Sequence, residues 1–145
     1  MSAHQAVDRS LSSISVGEVC VREHMITAEM IQTFAELSGD HNPLHVDETY
    51  SAKTNFGKPV AHGMLLGALV SELVGMHLPG VRCLLIKESL EFKLPVFAGD
   101  AIRVEGKVMH KSEVTRLLEI AITITRGSEV VATGTVHTKV LERHG

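Results

Sequence analysis

Four stretches of the chain alternate apolar and polar residues. Leu84, Ile86, Leu90, Phe92 and Leu94 alternate with Lys87, Ser89, Glu91 and Lys93, and Glu88 interrupts the apolar face. Ile102, Val104 and Val108 alternate with Arg103, Glu105 and Lys107. Leu118, Ile120, Ile122 and Ile124 alternate with Glu119, Ala121, Thr123 and Thr125. Val130, Ala132, Val136 and Val140 alternate with Glu129, Thr133, His137 and Lys139. A period of two marks strands with one buried face. Gly99-Asp100 and Gly127-Ser128 are turn signals between them, and the spacings predict antiparallel hairpins.

The first half follows other periods. Met1 to Ser13 reads as a flexible tail ahead of a single domain spanning residues 14–145. Gly17 to Met25 is a candidate strand around Val19 and Val21. Thr27 to Leu37 reads as a helix, with Thr27 as N-cap and Gly39 at its end. Residues 40–59 form a polar, irregular connection, within which Asp47 caps a short helix running to Ala52. Long connections inside compact domains are often functional. His62 to Leu78 is a helix whose apolar residues cover nearly the whole circumference, so it should be buried on all sides.

These elements predict an α+β fold: a curved antiparallel sheet with a buried helix against its apolar face. The long edges of such a sheet favour pairing with a second copy, so a homodimer is expected.

Composition narrows the function. The chain has 145 residues, enough for one domain with a real core. Its net charge is −3 and its aromatic content 3%, which argues against a basic, base-stacking nucleic-acid surface. The longest apolar run, Met64 to Val70, is far short of a membrane span. No hydrophobic leader precedes the domain, so a cytoplasmic location is expected. Cys20 and Cys83 form no metal or disulfide framework and read as buried free thiols.

Two segments carry candidate chemistry. The first is Ser38-Gly39-Asp40-His41-Asn42-Pro43-Leu44-His45-Val46-Asp47. On a regular helix Asp40 and His45 would lie about 140° apart. Pro43 disfavours helical geometry at Asn42, and a turn there can bring the two side chains together. A carboxylate beside an imidazole can hold a water and move its protons. The competing reading is a plain turn with a surface histidine. His41 and His45 have the i, i+4 spacing of a metal pair, with Asp47 nearby, but Pro43 removes the helix that spacing needs, so no metal is expected. The second segment, Pro59-Val60-Ala61-His62-Gly63-Met64, opens the apolar helix. Free first-turn amides there can meet a developing oxyanion, and Gly63 lets a ligand come close. The competing reading is capping by His62 and packing by Gly63. Ser71, about two turns on, needs a partner if buried.

Phe34 to Asp47 resembles the signature of the MaoC-like (R)-specific enoyl-CoA hydratases, also called hydratase 2. Ala61-His62-Gly63-Met64-Leu65-Leu66 and Ser89 to Asp100 are similar to two further segments of that family. The resemblance spans roughly Gly17 to Leu141. It implies the hot-dog fold, with residues 40–59 as an overhang covering an acyl pocket. It implies Asp40 and His45 as the catalytic pair, the Gly63 amide as the thioester-binding group, and supporting positions at Asn42, His62 and Ser71. The implied substrate is an acyl-CoA thioester, the implied assembly a homodimer, and no cofactor is needed beyond the coenzyme A of the substrate. The implied reaction is reversible addition of water to a trans-2-enoyl-CoA, giving an (R)-3-hydroxyacyl-CoA. A dehydratase acting on acyl carrier protein, a hot-dog thioesterase and a non-catalytic thioester-binding subunit are the alternatives.

Overall fold

The alternating stretches form one antiparallel sheet. In the computed structural model, which describes residues 4–142, the elements are β1 (Val19–Met25), α1 (Ala28–Ser38), α2 (Pro43–Val46), α3 (Glu48–Ser51), α4 (Gly63–Met76), β2 (Cys83–Phe92), β3 (Ala101–Ser112), β4 (Leu117–Arg126) and β5 (Glu129–Val140). The sheet order is β1-β3-β4-β5-β2, so β1 and β2 are the edges. Thr27 caps α1 by accepting the Met30 N–H at 3.1 Å. Gly39 closes it in the left-handed conformation, at φ 78°. Asp47 caps α3 by accepting the Tyr50 N–H at 2.9 Å.

α4 lies against the inner face of the sheet. Leu66, Val70, Leu73 and Val74 of the helix are buried with Val104, Val108, Leu118, Ile120, Ile122, Ile124 and Val136 of the strands. These are the alternating residues of the sequence pattern, and their aliphatic burial is the main stabilising term.

Two bulges shift the expected faces. Between Leu85 and Lys87 the β2–β5 register slips, and Glu88, Leu90 and Phe92 come opposite Val136, Gly134 and Ala132. One extra residue reverses the faces N-terminal to it. Leu84 and Ile86, expected inside, are therefore exposed. A second slip near Ile124 and Thr125 buries both Val131 and Ala132 and leaves Val130 exposed.

α4 is not buried all round. Met64, Ala68 and Ser71 share one face of it and are exposed. Ser71, being exposed, needs no internal partner.

The N-terminal segment is not loose. Leu11 is buried within a 3-10 turn, Leu11–Ser13. The Val7 N–H donates to the Met76 carbonyl at 3.0 Å, and the Val81 N–H donates back to Val7 at 2.8 Å. Gly80 makes this approach possible: a Cβ there would lie 2.0 Å from the Val7 carbonyl oxygen. Arg9 pairs with Glu18 at 2.8 Å, and that hydrogen bond holds the Glu18 carboxyl below its usual range. The polar composition of this stretch hid its anchors, which are mostly backbone groups. Residues 1–3 and 143–145 lie outside the described residues.

Cys20 and Cys83 are free and half-buried rather than fully buried. Desolvation pushes the Cys83 thiol up to about 11 and raises that of Cys20. His24 and His77 converge on Glu72 of α4. Their Nε2 atoms lie 3.7 Å and 3.1 Å from its carboxylate, and Arg22 Nε lies 3.3 Å from it.

Gly134→Ala should destabilise the protein, because its Cβ would fall 1.9 Å from the Ser89 carbonyl oxygen of β2. Thermal unfolding should show a Tm lower by about 6 °C or more. Gly75→Ala, whose Cβ would meet nothing within 4 Å, should leave the Tm unchanged or higher. Glu88 provides a second check. Its Oε1 is buried without a hydrogen bond, and desolvation raises its carboxyl pKa. The fold thus favours the protonated acid, and that contribution is lost as the pH rises through the raised value. Glu88→Gln should be more stable than the parent at about pH 8, and melting curves should show this advantage fading toward about pH 4.

Candidate active site

The carboxylate and the imidazole are brought together by a chain of local hydrogen bonds. Ser38 Oγ, at the end of α1, accepts the Asp40 N–H at 3.1 Å. Asp40 Oδ1 accepts the Asn42 N–H at 3.2 Å. Asn42 Oδ1 then accepts the Leu44 N–H at 3.0 Å and caps α2, with Pro43 as its first residue. Proline was expected to exclude a helix here. It excludes one before Pro43 and starts a single turn after it, because its fixed φ suits the first helical position. His45 rides on that turn.

His45 is further held by Val60. Its Nδ1 lies 2.6 Å from the Val60 carbonyl oxygen. A carbonyl can only accept, so Nδ1 carries the hydrogen and Nε2 presents its lone pair. That Nε2 lies 3.9 Å from Asp40 Oδ2. The gap is too long for a direct hydrogen bond and short enough for one water oxygen to reach both atoms. His45 is mostly buried, with 15% of its side chain exposed, whereas Asp40 is 51% exposed.

The start of α4 completes the site. The Ala61 N–H donates to Val96 at 2.7 Å, and Val60 pairs with Phe97. The segment that supplies these partners is itself tied down by Asp100, whose Oδ2 accepts from the Phe97 N–H at 2.9 Å and from Arg126 at 2.8 Å. This role of the Ser89–Asp100 motif was not read from the sequence, because it acts through backbone groups. His62 is buried, donates from Nε2 to the Asp40 carbonyl at 2.9 Å, and stacks on His45 with ring centroids 3.9 Å apart. Gly63 is the first residue of α4, where amides have no acceptor within the helix. The Phe92 ring lies against it, 2.9 Å from where a Cβ would stand. The apolar position of Phe92 was legible, but its contact with Gly63 joins residues far apart in the chain.

His45 and Gly63 line a common cavity of about 420 Å³, with Phe56, Leu66, Phe92 and Leu94 among its walls. Asp40 is not among the lining residues. On its other side His45 borders a second cavity of about 350 Å³, next to Ile31, Val46 and Lys58. Ser71 does not join this group: it lies about 12 Å along the axis of α4 from Gly63, at 1.5 Å per residue.

Among the described residues, the group able to offer metal ligands is Asp40, His45 and His62, with one candidate atom each within 4.8 Å of the others. It is not the His41, His45 and Asp47 set considered from spacing. His45 Nδ1 and His62 Nε2 are occupied by backbone carbonyls, so each ring has one nitrogen left.

The comparisons with known proteins agree with this arrangement. The family model described as MaoC like domain matches residues 15–130. The (R)-specific enoyl-CoA hydratase of Aeromonas caviae is 39% identical over 126 residues, covering 86% of this chain and 94% of that protein. The 3-hydroxybutyryl-CoA dehydratase of Methylorubrum extorquens is 35% identical, covering 88% and 81%. The structure of R-hydratase PhaJ1 from Pseudomonas aeruginosa superposes with a TM-score of 0.90 at 31% identity, covering 96% of this chain and 90% of that one. With the hot-dog architecture and all three sequence segments in place, this chain belongs to the MaoC-like family.

Proposed function

We propose that this chain is an (R)-specific enoyl-CoA hydratase. It adds water reversibly to a trans-2-enoyl-CoA and yields an (R)-3-hydroxyacyl-CoA. The observation that carries the reading is the His45 Nε2 lone pair, held 3.9 Å from Asp40 Oδ2 on a ring that borders the same cavity as Gly63.

The thioester carbonyl accepts the Gly63 N–H, which draws electron density from C3. A water between Asp40 and His45 attacks C3. As the C3–O bond forms, the C2=C3 pair moves toward C2 and the carbonyl oxygen gains negative charge. The positive end of α4 stabilises that charge where it develops. The dyad takes one proton from the water and returns one to C2, so the net change is addition of one water. Both transfers come from one side of the substrate, which favours syn addition. Acid–base groups and a peptide amide supply the whole reaction, without a metal or prosthetic group.

The acyl chain fits the apolar cavity behind Gly63, and coenzyme A stays outside it. The exposed β2 edge and the open face of α4 support a homodimer, since both would otherwise leave unpaired strand and apolar surface in water. Among the described residues no helix is long and apolar enough to cross a membrane.

The purified protein should hydrate crotonyl-CoA, read as loss of enoyl absorbance, with the (R) product on chiral analysis. Release of free coenzyme A from a saturated acyl-CoA, without hydration, would instead assign a thioesterase. Turnover of only the carrier-protein thioester would assign an acyl carrier protein dehydratase. Asp40→Asn and His45→Gln should each lower kcat by about 10²–10⁴-fold. Asn42→Ala removes the α2 cap, and should lower stability by about 1 kcal/mol in denaturant titrations. The same variant should lower kcat, because α2 carries His45.

A further inference from the structure

We propose that His62 is a positioning residue for the dyad, a role that rests on the hydratase reading and extends it. Its side chain does not cap α4, the usual task of a residue at that position. Its Nε2–H instead reaches across 22 residues of sequence to the Asp40 carbonyl, at 2.9 Å. One ring face stacks on His45, at 3.9 Å between centroids and 28° between planes. Phe34 packs against the same ring, at 4.9 Å.

The geometry assigns the tautomer. Nε2 faces an oxygen that only accepts, so Nε2 carries the hydrogen. Nδ1 is buried and has no partner. A buried polar atom left unpaired is costly, so a histidine at this 2% exposed position calls for a compensating reason. An aliphatic residue would fill the space with no such cost. A leucine, however, could not hold the Asp40 backbone.

That hold is needed because Asp40 lacks packing. Half of its side chain is in solvent, so hydrogen bonds must fix its direction. The Asp40 N–H is taken by Ser38 and Oδ1 by the Asn42 N–H, both within two residues. His62 supplies the long-range tie, joining the strand of chain that carries Asp40 to the rigid start of α4. The same ring backs His45. One side chain thus sets both ends of the Asp40–His45 gap and registers them against the neighbouring Gly63 amide.

The test compares His62→Leu, which keeps bulk and loses the donor, with His62→Gln, whose side-chain amide reaches about as far as Nε2. His62→Leu should lower kcat for crotonyl-CoA by about 10–100-fold, the scale of a small misplacement of reacting groups. Its KM should stay within about threefold, because the Gly63 amide remains. His62→Gln should recover at least part of the lost kcat. An NMR titration of the His45 ring serves as a readout that needs no turnover. Its midpoint should move in His62→Leu, and return toward the parent value in His62→Gln. If His62→Leu does not fold, His62→Asn takes its place, since its amide stops one bond short of the Asp40 carbonyl. A folded Leu or Asn variant with parent kcat and an unmoved His45 midpoint overturns the proposal. So does a Gln variant as impaired as Leu. A parent protein that fails to hydrate crotonyl-CoA would remove the hydratase reading, while the His45 titration would still decide whether His62 positions the pair.

Discussion

The hydrogen bond from His45 Nδ1 to the Val60 carbonyl is the contact on which the site depends. It selects the tautomer, turns the Nε2 lone pair toward Asp40, and ties the polar connection to the residues that open α4. Val60 is itself held in place. Its N–H donates to Leu44 at 3.0 Å, so the one-turn α2 and the entry to α4 are bonded in both directions. A single turn of helix is unstable alone, because it fixes several dihedrals for very few hydrogen bonds. Here α2 persists because its cap, its proline and its tertiary bonds to Val60 act together.

The rest of the fold supplies the fixed frame for that contact. α4 is anchored by aliphatic burial along most of its length, so its first turn cannot drift. The Arg126–Asp100 pair holds the loop whose Val96 carbonyl receives the Ala61 N–H. Their hydrogen bond also raises the guanidinium pKa above its usual value, so this tether keeps its charge across the working pH range. The site thus has a division of labour. Apolar packing fixes the helix, and hydrogen bonds fix the half-exposed groups that must meet water.

Much of this was legible in the sequence, for identifiable reasons. β3 and β4 alternate cleanly, so their inner faces were readable as written. Thr27, Gly39 and Asp47 are local signals, and each acts within three or four residues of its own position. The Asp40–His45 pairing was legible as a possibility from the Asn42-Pro43 bend, and the resemblance of the surrounding segment raised it further. What stayed hidden depends on distant groups. The β2 bulge inverts Leu84 and Ile86, and no local residue announces it. The packing of Val7 against Gly80, the meeting of His24 and His77 at Glu72, and the carbonyl that orients His45 all join residues far apart in the chain. The open face of α4 was not legible, because the helix pattern reports apolarity and not which apolar residues are covered: Met64 is as apolar as Leu66, yet it is exposed.

The cavity shows how little of the site is made of chemically distinctive residues. Gly63 contributes an amide and the absence of a side chain. Because it has no Cβ, the Phe92 ring can close against the helix start and wall the cavity from the β2 side. β2 is an edge strand held to the sheet by β5 alone. The shape of the space beside the dyad is therefore coupled to an edge strand of the fold. Anything that covers or extends that edge would also stiffen the wall of the cavity. Strand pairing and substrate fit are, in this architecture, one mechanical problem, and the dyad stays insulated from it because its own bonds run to α1, α2 and the entry to α4 rather than to β2.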